Sequence, residues 1–232
     1  MAACLARIEY VIYDLDGLLL DTECFYTRAS QAIAQRFGKT FDWSVKSKMI
    51  GKKAADSARI FTADLAIPLT PADYLEERRT LLEAMFPNAQ PMPGAVRLTR
   101  HLHSCNIPQA VATSSDRRHF ELKTSRHRDW FGIFDRLVIG DEPEVRKGKP
   151  APDIFLLAAR RLGAAPARCL VLEDSPAGLQ AALAAGMYAV VVPDPNMDHG
   201  EYPGAHQILR SLEEFDLPSW GLPPYPPGRA ME

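Results

Sequence analysis

Short runs of apolar residues recur along the chain, each closed by polar or glycine-containing segments. Five of them have the length of buried strands, and they cover residues 10–13, 110–112, 137–139, 169–172 and 189–192. Helical patterns separate the later runs, at residues 95–104, 153–162 and 177–185, where Pro152, Gly163 and Gly186 supply start and stop signals. The pattern therefore predicts strands that alternate with helices.

Such an alternation predicts a mainly parallel sheet, because parallel strands need crossover connections and the crossing helices cover both faces. The expected fold class is α/β, with a Rossmann-like parallel sheet as the core. In open sheets of this kind, ligands bind in the crevice at the carboxyl ends of the strands. Functional residues are therefore expected where the predicted strands end.

Residues 22–89 interrupt the alternation, because they contain only helical patterns, at residues 22–37, 43–49, 54–65 and 71–86. We interpret this stretch as an inserted helical cap that opens and closes over the end of the first strand. A purely structural helical subdomain is the alternative. The predicted domains are a core of residues 1–18 and 92–217, a cap of residues 19–91, and a proline-rich C-terminal tail of residues 218–232. Within the tail, residues 221–228 are expected to form an extended arm.

The composition excludes several classes of protein. The 232 residues are 47% hydrophobic, which suffices for a substantial core. The 27 Lys and Arg residues nearly balance the 29 Asp and Glu residues, so the net charge of −2 favours neither nucleic acid nor anionic lipid as a partner. The four cysteines lack zinc-ligand spacing, and no apolar run approaches the ~18 residues of a membrane span. We expect a soluble cytoplasmic protein, a monomer or weak dimer, that binds neither nucleic acid nor membrane.

The first predicted strand ends in the sequence DLDGLLLD, which spans residues 14–21. Asp14 and Asp16 are costly to desolvate together, so a cation or a proton must hold them at the end of a buried strand. Mg²⁺ suits this position because it prefers oxygen ligands and keeps several waters, which leaves one carboxylate free for proton transfer. Gly17 permits a tight turn toward a ligand. The alternative is an aspartate-rich loop that caps the next helix. Asp21 immediately precedes Thr22 and suits this capping role as well as any other role.

Two further polar groups follow predicted strands. Thr113 and Ser114 end the second strand, where hydroxyls and backbone N–H groups suit a phosphoryl oxygen. Turn or helix-cap roles are the more common use of such residues, so this signal is weak by itself. Glu173 and Asp174 end the fourth strand and would complete an oxygen cage for Mg²⁺.

A lysine precedes the helix predicted at residues 153–162. Lys149 lies in the sequence GKPAPD, where two prolines stiffen the approach to the helix. Its amine would neutralise a phosphoryl group as a point charge. Lys147, two residues earlier, is the competing candidate and is more easily explained as a solvated side chain.

The order of these motifs resembles that of the haloacid dehalogenase-like hydrolase superfamily. DxDGxxxD comes first, then a strand-terminal threonine, a lysine before a helix and a Glu-Asp pair, all between residues 10 and 192. The resemblance implies that Asp14 is the nucleophile that forms an aspartyl-phosphate and that Asp16 is the general acid and base. It also implies that both residues meet Mg²⁺, Asp16 through its backbone carbonyl.

The same resemblance implies roles for the remaining motif residues. Thr113 and Ser114 would bind the transferring phosphoryl group, and Lys149 would neutralise it. Asp174 would ligate Mg²⁺ directly, and Glu173 would do so directly or through water. Together these residues imply a Mg²⁺-dependent phosphatase whose partner is a small-molecule phosphomonoester.

Individual residues also separate the branches of the superfamily. Dehalogenases need neither Mg²⁺ nor a second acidic residue, and phosphonate hydrolases carry a small residue at the position of Asp16. Sugar-phosphate mutases place a histidine early in the first cap helix, where this chain has Phe25 and Tyr26. Hydrolysis is therefore favoured, with a phosphomutase and a non-catalytic binding protein on the same fold as alternatives.

Similarity within the cap and the later loops narrows the expected substrate. Segments at residues 41–46, 49–54, 92–95, 123–127 and 140–145 resemble the subgroup that contains eukaryotic pseudouridine-5'-phosphatase and glycerol-3-phosphatase. Residues 112–115 and 123–127 resemble the pseudouridine enzyme more closely, whereas residues 58–61 resemble the plant glycerol phosphatases. By a small margin, the resemblance implies pseudouridine 5'-phosphate as the substrate. Gly51, Lys52 and Lys53 are expected to face the substrate from the cap, unless the two lysines are solvated beside a helix-cap glycine.

Overall fold

A computed structural model of the protein describes residues 8–50 and 54–226. Its strands are β1 (Tyr10–Tyr13), β2 (Leu20–Asp21), β3 (Gln90–Pro91), β4 (Gln109–Thr113), β5 (Arg136–Ile139), β6 (Cys169–Glu173), β7 (Tyr188–Val191) and β8 (Gln207–Ile208). Six of them form one parallel sheet in the order β5-β4-β1-β6-β7-β8, and β2 pairs with β3 in a separate antiparallel ladder. The predicted α/β class is confirmed.

Helices cover both faces of the sheet. They are α1 (Glu23–Arg36), α2 (Trp43–Met49), α3 (Ala54–Asp64), α4 (Pro71–Met85), α5 (Ala95–Ser104), α6 (Arg117–Thr124), α7 (Arg128–Phe131), α8 (Asp153–Leu162) and α9 (Pro176–Ala184). Successive residues of a strand point to opposite faces. In β1, Val11 and Tyr13 accordingly pack in one apolar cluster with residues of α5, whereas Ile12 packs in another with α8 and α9. None of the described helices combines the length and apolar composition that crossing a bilayer requires.

Every strand and helix predicted from the apolar pattern is present, with ends that shift by at most one residue. Besides short 3₁₀ helices, the elements that were not predicted are the β2–β3 ladder, α6, the single-turn helix α7 and the edge strand β8. Ladders and strands of two residues contain too few positions to show a hydrophobic period, so their pairing is decided by the rest of the fold.

The four helices α1–α4 form what we call the helical segment, residues 22–89. They share an apolar cluster of their own, in which Phe61 stacks on Tyr74 with ring centroids 4.0 Å apart. The β2–β3 ladder pairs the chain where it enters and leaves this segment. Phe25 and Phe86 pack into the main core, so the base of the segment is anchored to the sheet. Its predicted role as a mobile cap and the domain limits remain predictions.

The first part of the C-terminal tail lies against the core, which differs from the expected extended arm. A 3₁₀ helix, Leu217–Trp220, buries Trp220, and Leu222 is also buried. Tyr225 lies over Arg97 of α5, with its ring centroid 4.1 Å from the guanidinium carbon. Apolar side chains placed between the prolines therefore gain enough contact area to hold the tail on the surface.

Candidate active site

The first motif forms a tight turn at the carboxyl edge of the sheet. Asp14 continues the β1 ladder, since its N–H donates to the carbonyl of Leu172 at 3.0 Å. Gly17 has a φ of +77°, and its N–H donates to the carbonyl of Leu20 at 2.9 Å. A Cβ at Gly17 would collide with the carboxylate of Asp174. Glycine is therefore required at this position, both for the backbone conformation and for the close approach of the turn to the end of β6.

Lys149 reaches from the loop before α8 to carboxylates at the ends of two neighbouring strands. Its Nζ donates to Oδ1 of Asp14 and to Oε1 of Glu173, at 2.5 Å each. The side chains of Lys149, Asp14 and Glu173 are 7%, 9% and 0% exposed, so their charges interact with little screening by water. The structure thus places the predicted phosphate-binding lysine beside the predicted nucleophile.

The two acidic residues at the end of β6 have different surroundings. Oε2 of Glu173 accepts hydrogen bonds from the N–H groups of Asp174 and Ser175 and from the Ser175 hydroxyl, all at 3.0 Å. A Cβ at Gly178 would overlap the Glu173 carboxylate, which is therefore tightly enclosed. The hydrogen bonds of residues 8–50 and 54–226 include no donor to the side chain of Asp174. The Asp174 carboxylate is thus free to bind a cation, whereas Glu173 is already held.

These residues form a compact acidic cluster that fits a divalent cation. Asp14, Glu173 and Asp174 each offer an oxygen, and the three oxygens lie within 4.8 Å of one another. One ammonium group, that of Lys149, does not balance three carboxylates, of which two are buried and that of Asp174 is partly buried, so the cluster needs protons or a metal ion. A donor set of hard carboxylate oxygens matches the preference of Mg²⁺.

The pKa values of Asp14 and Asp174 show that bringing these carboxylates together is unfavourable when no metal ion is bound. Burial raises the pKa of Asp14 to about 7; Lys149 opposes this increase, and the charges of Glu173 and Asp16 add to it. Burial and the charges of Glu173 and Asp14 raise the pKa of Asp174 well above its usual value. Ionised Asp14 and Asp174 are therefore unfavourable in the metal-free native state.

We expect Asp174→Asn to raise the melting temperature of the metal-free protein at pH 8 by roughly 3–6 °C. Because the native pKa of Asp174 is raised, the native state is favoured while this carboxyl is protonated, and that stabilisation is lost as the pH rises through the native pKa. The amide removes the cost of ionisation. Adding Mg²⁺ should raise the melting temperature of the wild type and leave that of the variant nearly unchanged.

Differential scanning calorimetry with EDTA or with Mg²⁺ measures both effects. Glu121→Gln, which removes an exposed carboxylate on α6, is the matched control and should shift neither value. A metal-free Asp174→Asn protein that melts below the wild type, or that responds to Mg²⁺ as the wild type does, would contradict the assignment of Asp174 to a cation site.

The carboxylate of Asp16 is not part of this cluster and is held by three other donors. Its Oδ1 accepts from the Thr22 hydroxyl and the Lys123 ammonium at 2.5 Å each, and its Oδ2 accepts from the Ser115 hydroxyl at 2.9 Å. Burial acts to raise the pKa of Asp16, but the charge of Lys123 and these hydrogen bonds outweigh burial and hold the pKa below its usual value. Asp16 is therefore ionised in this arrangement.

The sequence motifs do not single out Lys123, although its ammonium group contacts the predicted acid and base. Lys123 lies on α6, and its side chain is 0% exposed. Helical spacing indicates its burial but not its partner, since Lys123 and Thr124 follow Phe120 by three and four residues on the face that the structure buries. A lysine on a buried helical face is rare unless a buried partner compensates its charge.

The two residues expected to bind phosphate at the end of β4 differ in exposure. Thr113 is 1% exposed, and its hydroxyl accepts a hydrogen bond from the N–H of Ser115 at 3.1 Å, so it supports the turn. Ser114 lines the cavity described below. The residues expected to face the substrate from the cap lie outside the described part of the chain: Gly51, Lys52 and Lys53.

A cavity of about 510 Å³ lies between the helical segment and the carboxyl edge of the sheet. Ser114 and Asp174 line its sheet side, and Tyr26 and Arg78 line the side of the helical segment. The Arg78 guanidinium carbon is 5.2 Å from the ring centroid of Tyr74 and 5.7 Å from that of Tyr26. Its hydrogen bond to the Tyr74 hydroxyl is long, at 3.4 Å, and leaves most of the guanidinium N–H donors available to a ligand.

The chain is similar to several known hydrolases. The sequence model of the haloacid dehalogenase-like hydrolase family matches residues 8–186. (DL)-glycerol-3-phosphatase 2 of Arabidopsis thaliana is 50% identical over 223 residues, which cover 94% of this chain and 93% of the relative. A Drosophila melanogaster protein described as a probable pseudouridine-5'-phosphatase is 43% identical over 224 residues, with 95% and 97% covered. The crystal structure of a Deinococcus radiodurans HAD family hydrolase with bound phosphate and sodium has a TM-score of 0.76 and 27% identity, over 90% of this chain and 93% of that one.

Proposed function

Because the chain belongs to the haloacid dehalogenase-like hydrolase family, we propose that it is a Mg²⁺-dependent phosphatase that acts through an aspartyl-phosphate on Asp14. That it is a phosphomonoester hydrolase follows from the family and from its phosphatase relatives. The contact of Lys149 with both Asp14 and Glu173, next to the free carboxylate of Asp174, carries the proposal. Positive charge beside a buried carboxylate allows an anionic phosphoryl group to approach that nucleophile.

In the first half-reaction, a carboxylate oxygen of Asp14 attacks phosphorus, and the bond from phosphorus to the leaving oxygen breaks. Lys149 offsets the charge of the phosphoryl oxygens and orients Asp14, so its contribution is electrostatic and positional. Asp16 must take up a proton for this step, against the preference of its three donors for the ionised form, and it gives that proton to the leaving oxygen. Mg²⁺ held by Asp14, Asp174 and the Asp16 carbonyl would supply further positive charge at the phosphoryl group.

In the second half-reaction, water hydrolyses the aspartyl-phosphate. Asp16, now a carboxylate, removes a proton from the water molecule whose oxygen attacks phosphorus. The bond from phosphorus to Asp14 breaks, inorganic phosphate leaves, and Asp16 is protonated again for the next turnover. Three donors that hold Asp16 ionised suit its role as the base of this second step.

We favour pseudouridine 5'-phosphate as the natural substrate. A cavity of about 510 Å³ with Tyr26 and Arg78 on its wall suits a planar base with carbonyl oxygens better than a three-carbon polyol. The name of the Drosophila relative supports the same substrate. Glycerol 3-phosphate is the second candidate, because the Arabidopsis glycerol-3-phosphatase has the higher identity, 50%.

A comparison of kcat/KM for pseudouridine 5'-phosphate, glycerol 3-phosphate, uridine 5'-phosphate and ribose 5-phosphate tests this choice. We expect kcat/KM for pseudouridine 5'-phosphate to exceed kcat/KM for glycerol 3-phosphate by about 100-fold or more, because contacts to the base add binding energy in the transition state. The reverse order would identify glycerol 3-phosphate as the substrate. An isomerised sugar phosphate among the products would indicate a mutase, and Mg²⁺ binding without turnover of any phosphomonoester would indicate a binding protein.

We expect Arg78→Leu to reduce kcat/KM for pseudouridine 5'-phosphate by roughly 10- to 100-fold, the range for a lost charged hydrogen bond. Activity on glycerol 3-phosphate should change little, because this substrate has no base for Tyr26 and Arg78 to contact. Arg100→Leu, which removes an exposed arginine on α5, is the matched control. Equal losses on both substrates would show that Arg78 does not recognise the leaving group.

A further inference from the structure

Burial imposes a desolvation cost on the ammonium group of Lys123. Its side chain is 0% exposed, and its Nζ lies 4.5 Å from the ring centroid of Phe86 and 5.8 Å from that of Tyr26. Replacing a whole buried ion pair by apolar residues of similar volume is often as favourable for stability or more so. Folding alone therefore gives little reason for the Lys123–Asp16 pair at this position.

The polar contacts of Lys123 go to residues around the predicted acid and base. Its Nζ donates to Oδ1 of Asp16 at 2.5 Å and to the Ser115 hydroxyl at 2.7 Å, and that hydroxyl donates to Oδ2 of Asp16. The Thr22 hydroxyl completes the set at Oδ1. Donors from three separate parts of the chain thus hold both oxygens of Asp16 and fix the orientation of its carboxylate.

The two buried lysines of the site contact different carboxylates. Lys149 contacts Asp14 and Glu173, while Lys123 contacts Asp16. The carboxylate of Asp16 is thereby kept out of the acidic cluster that would hold Mg²⁺. A carboxylate that must transfer protons has to remain off the metal and within reach of the leaving oxygen and of water.

We propose that Lys123 is the positioning residue that holds Asp16 in place for its two proton transfers, an inference that rests on the proposed phosphatase function. Lys123 does not touch the substrate, because its ammonium group is covered by Phe86 and Tyr26 and exposes no surface to the cavity. Its contribution to catalysis passes through Asp16 alone. The effect of removing Lys123 should therefore disappear when Asp16 is already disabled.

The test is a double-mutant cycle of Lys123→Met, Asp16→Asn and the combined variant. We expect Lys123→Met to lower kcat for an alkyl phosphomonoester by about 100-fold with KM changed less than about threefold, and the combined variant to be no slower than Asp16→Asn. Ser115→Ala, which removes one donor from the same group, should lower kcat less, and Lys123→Arg should restore part of it. Melting temperatures are recorded for every variant, and Ser115→Ala keeps the proposal testable if Lys123→Met does not fold.

p-Nitrophenyl phosphate adds a readout that a purely structural role would not change. Its leaving group departs without a proton, so the first half-reaction does not need Asp16, whereas hydrolysis of the aspartyl-phosphate does. Rapid mixing of Lys123→Met with this substrate should give a burst of p-nitrophenolate equal to the enzyme concentration, followed by slow turnover, as for Asp16→Asn.

Three results would overturn the role of Lys123: a kcat close to that of the wild type, a further loss of kcat when Lys123→Met is added to Asp16→Asn, or a raised KM with unchanged kcat. Failure of the proposed function would look different. Asp14→Asn would then retain activity, or Asp16→Asn would show neither a burst nor a loss of turnover.

Discussion

Replacing Asp14 with asparagine is expected to lower the rate of phosphate release by about 10,000-fold or more, as is typical when a covalent nucleophile is removed. The amide is a far weaker nucleophile than a carboxylate and cannot form a stable acyl phosphate. Asp16 remains to transfer protons and Asp174 remains for the cation, so saturating Mg²⁺ separates the loss of the nucleophile from the loss of one Mg²⁺ ligand. Steady-state phosphate release at saturating Mg²⁺ and substrate measures the effect.

Asp21→Asn is the matched control, because Asp21 belongs to the same motif but lies in β2, outside the acidic cluster. It should keep activity close to that of the wild type. Chelation of divalent cations should abolish wild-type activity, and Mg²⁺ should restore it. An Asp14→Asn protein that retains more than about a hundredth of the wild-type rate would contradict nucleophilic catalysis by Asp14.

Lys149→Met is expected to have the second-largest effect, a fall in kcat/KM of roughly 1,000-fold. The variant loses the positive charge that offsets the phosphoryl oxygens, and it leaves Asp14 and Glu173 without their shared ammonium partner. An uncompensated buried charge should also lower the free energy of unfolding by about 3 kcal/mol at pH 8. Kinetics below the melting temperature, together with urea unfolding, separate the two effects.

Lys147→Met provides the comparison, since Lys147 is exposed and lies two residues from Lys149. It should leave both kcat/KM and stability unchanged. If Lys147→Met lost activity while Lys149→Met kept it, the phosphate-binding lysine would have been assigned to the wrong position.

The core of the fold was predictable from the sequence because its strands are buried on both faces. Such strands form unbroken apolar runs, as in residues 169–172 and 189–192, and turn residues mark their ends. The edge strand Gln207–Ile208 lacks this pattern. Helix α6, Arg117–Thr124, was missed because it is strongly polar, and its buried face includes a lysine.

Site residues were predictable where their side chains suit a metal ion or a phosphate and the predicted fold places them at the carboxyl edge of the sheet. Asp14, Lys149, Glu173 and Asp174 come together because parallel strands deliver their carboxyl ends to one edge of the sheet. Lys123 was not predicted as a site residue, because its role depends on contacts between α6 and the turn after β1 that no local pattern encodes. The Thr113 hydroxyl bonds within its own turn, so only the structure distinguishes its surroundings from those of Ser114.

Chemical trapping of the covalent intermediate tests the central claim most directly. The wild type and Asp16→Asn are mixed with substrate and Mg²⁺, quenched in acid, and treated with borohydride, which reduces an acyl phosphate on aspartate to homoserine. Peptide mass spectrometry should locate this change at position 14, in larger amount for Asp16→Asn, and should find none without substrate. Phosphate release without modification at Asp14, or modification of a different residue, would contradict the mechanism.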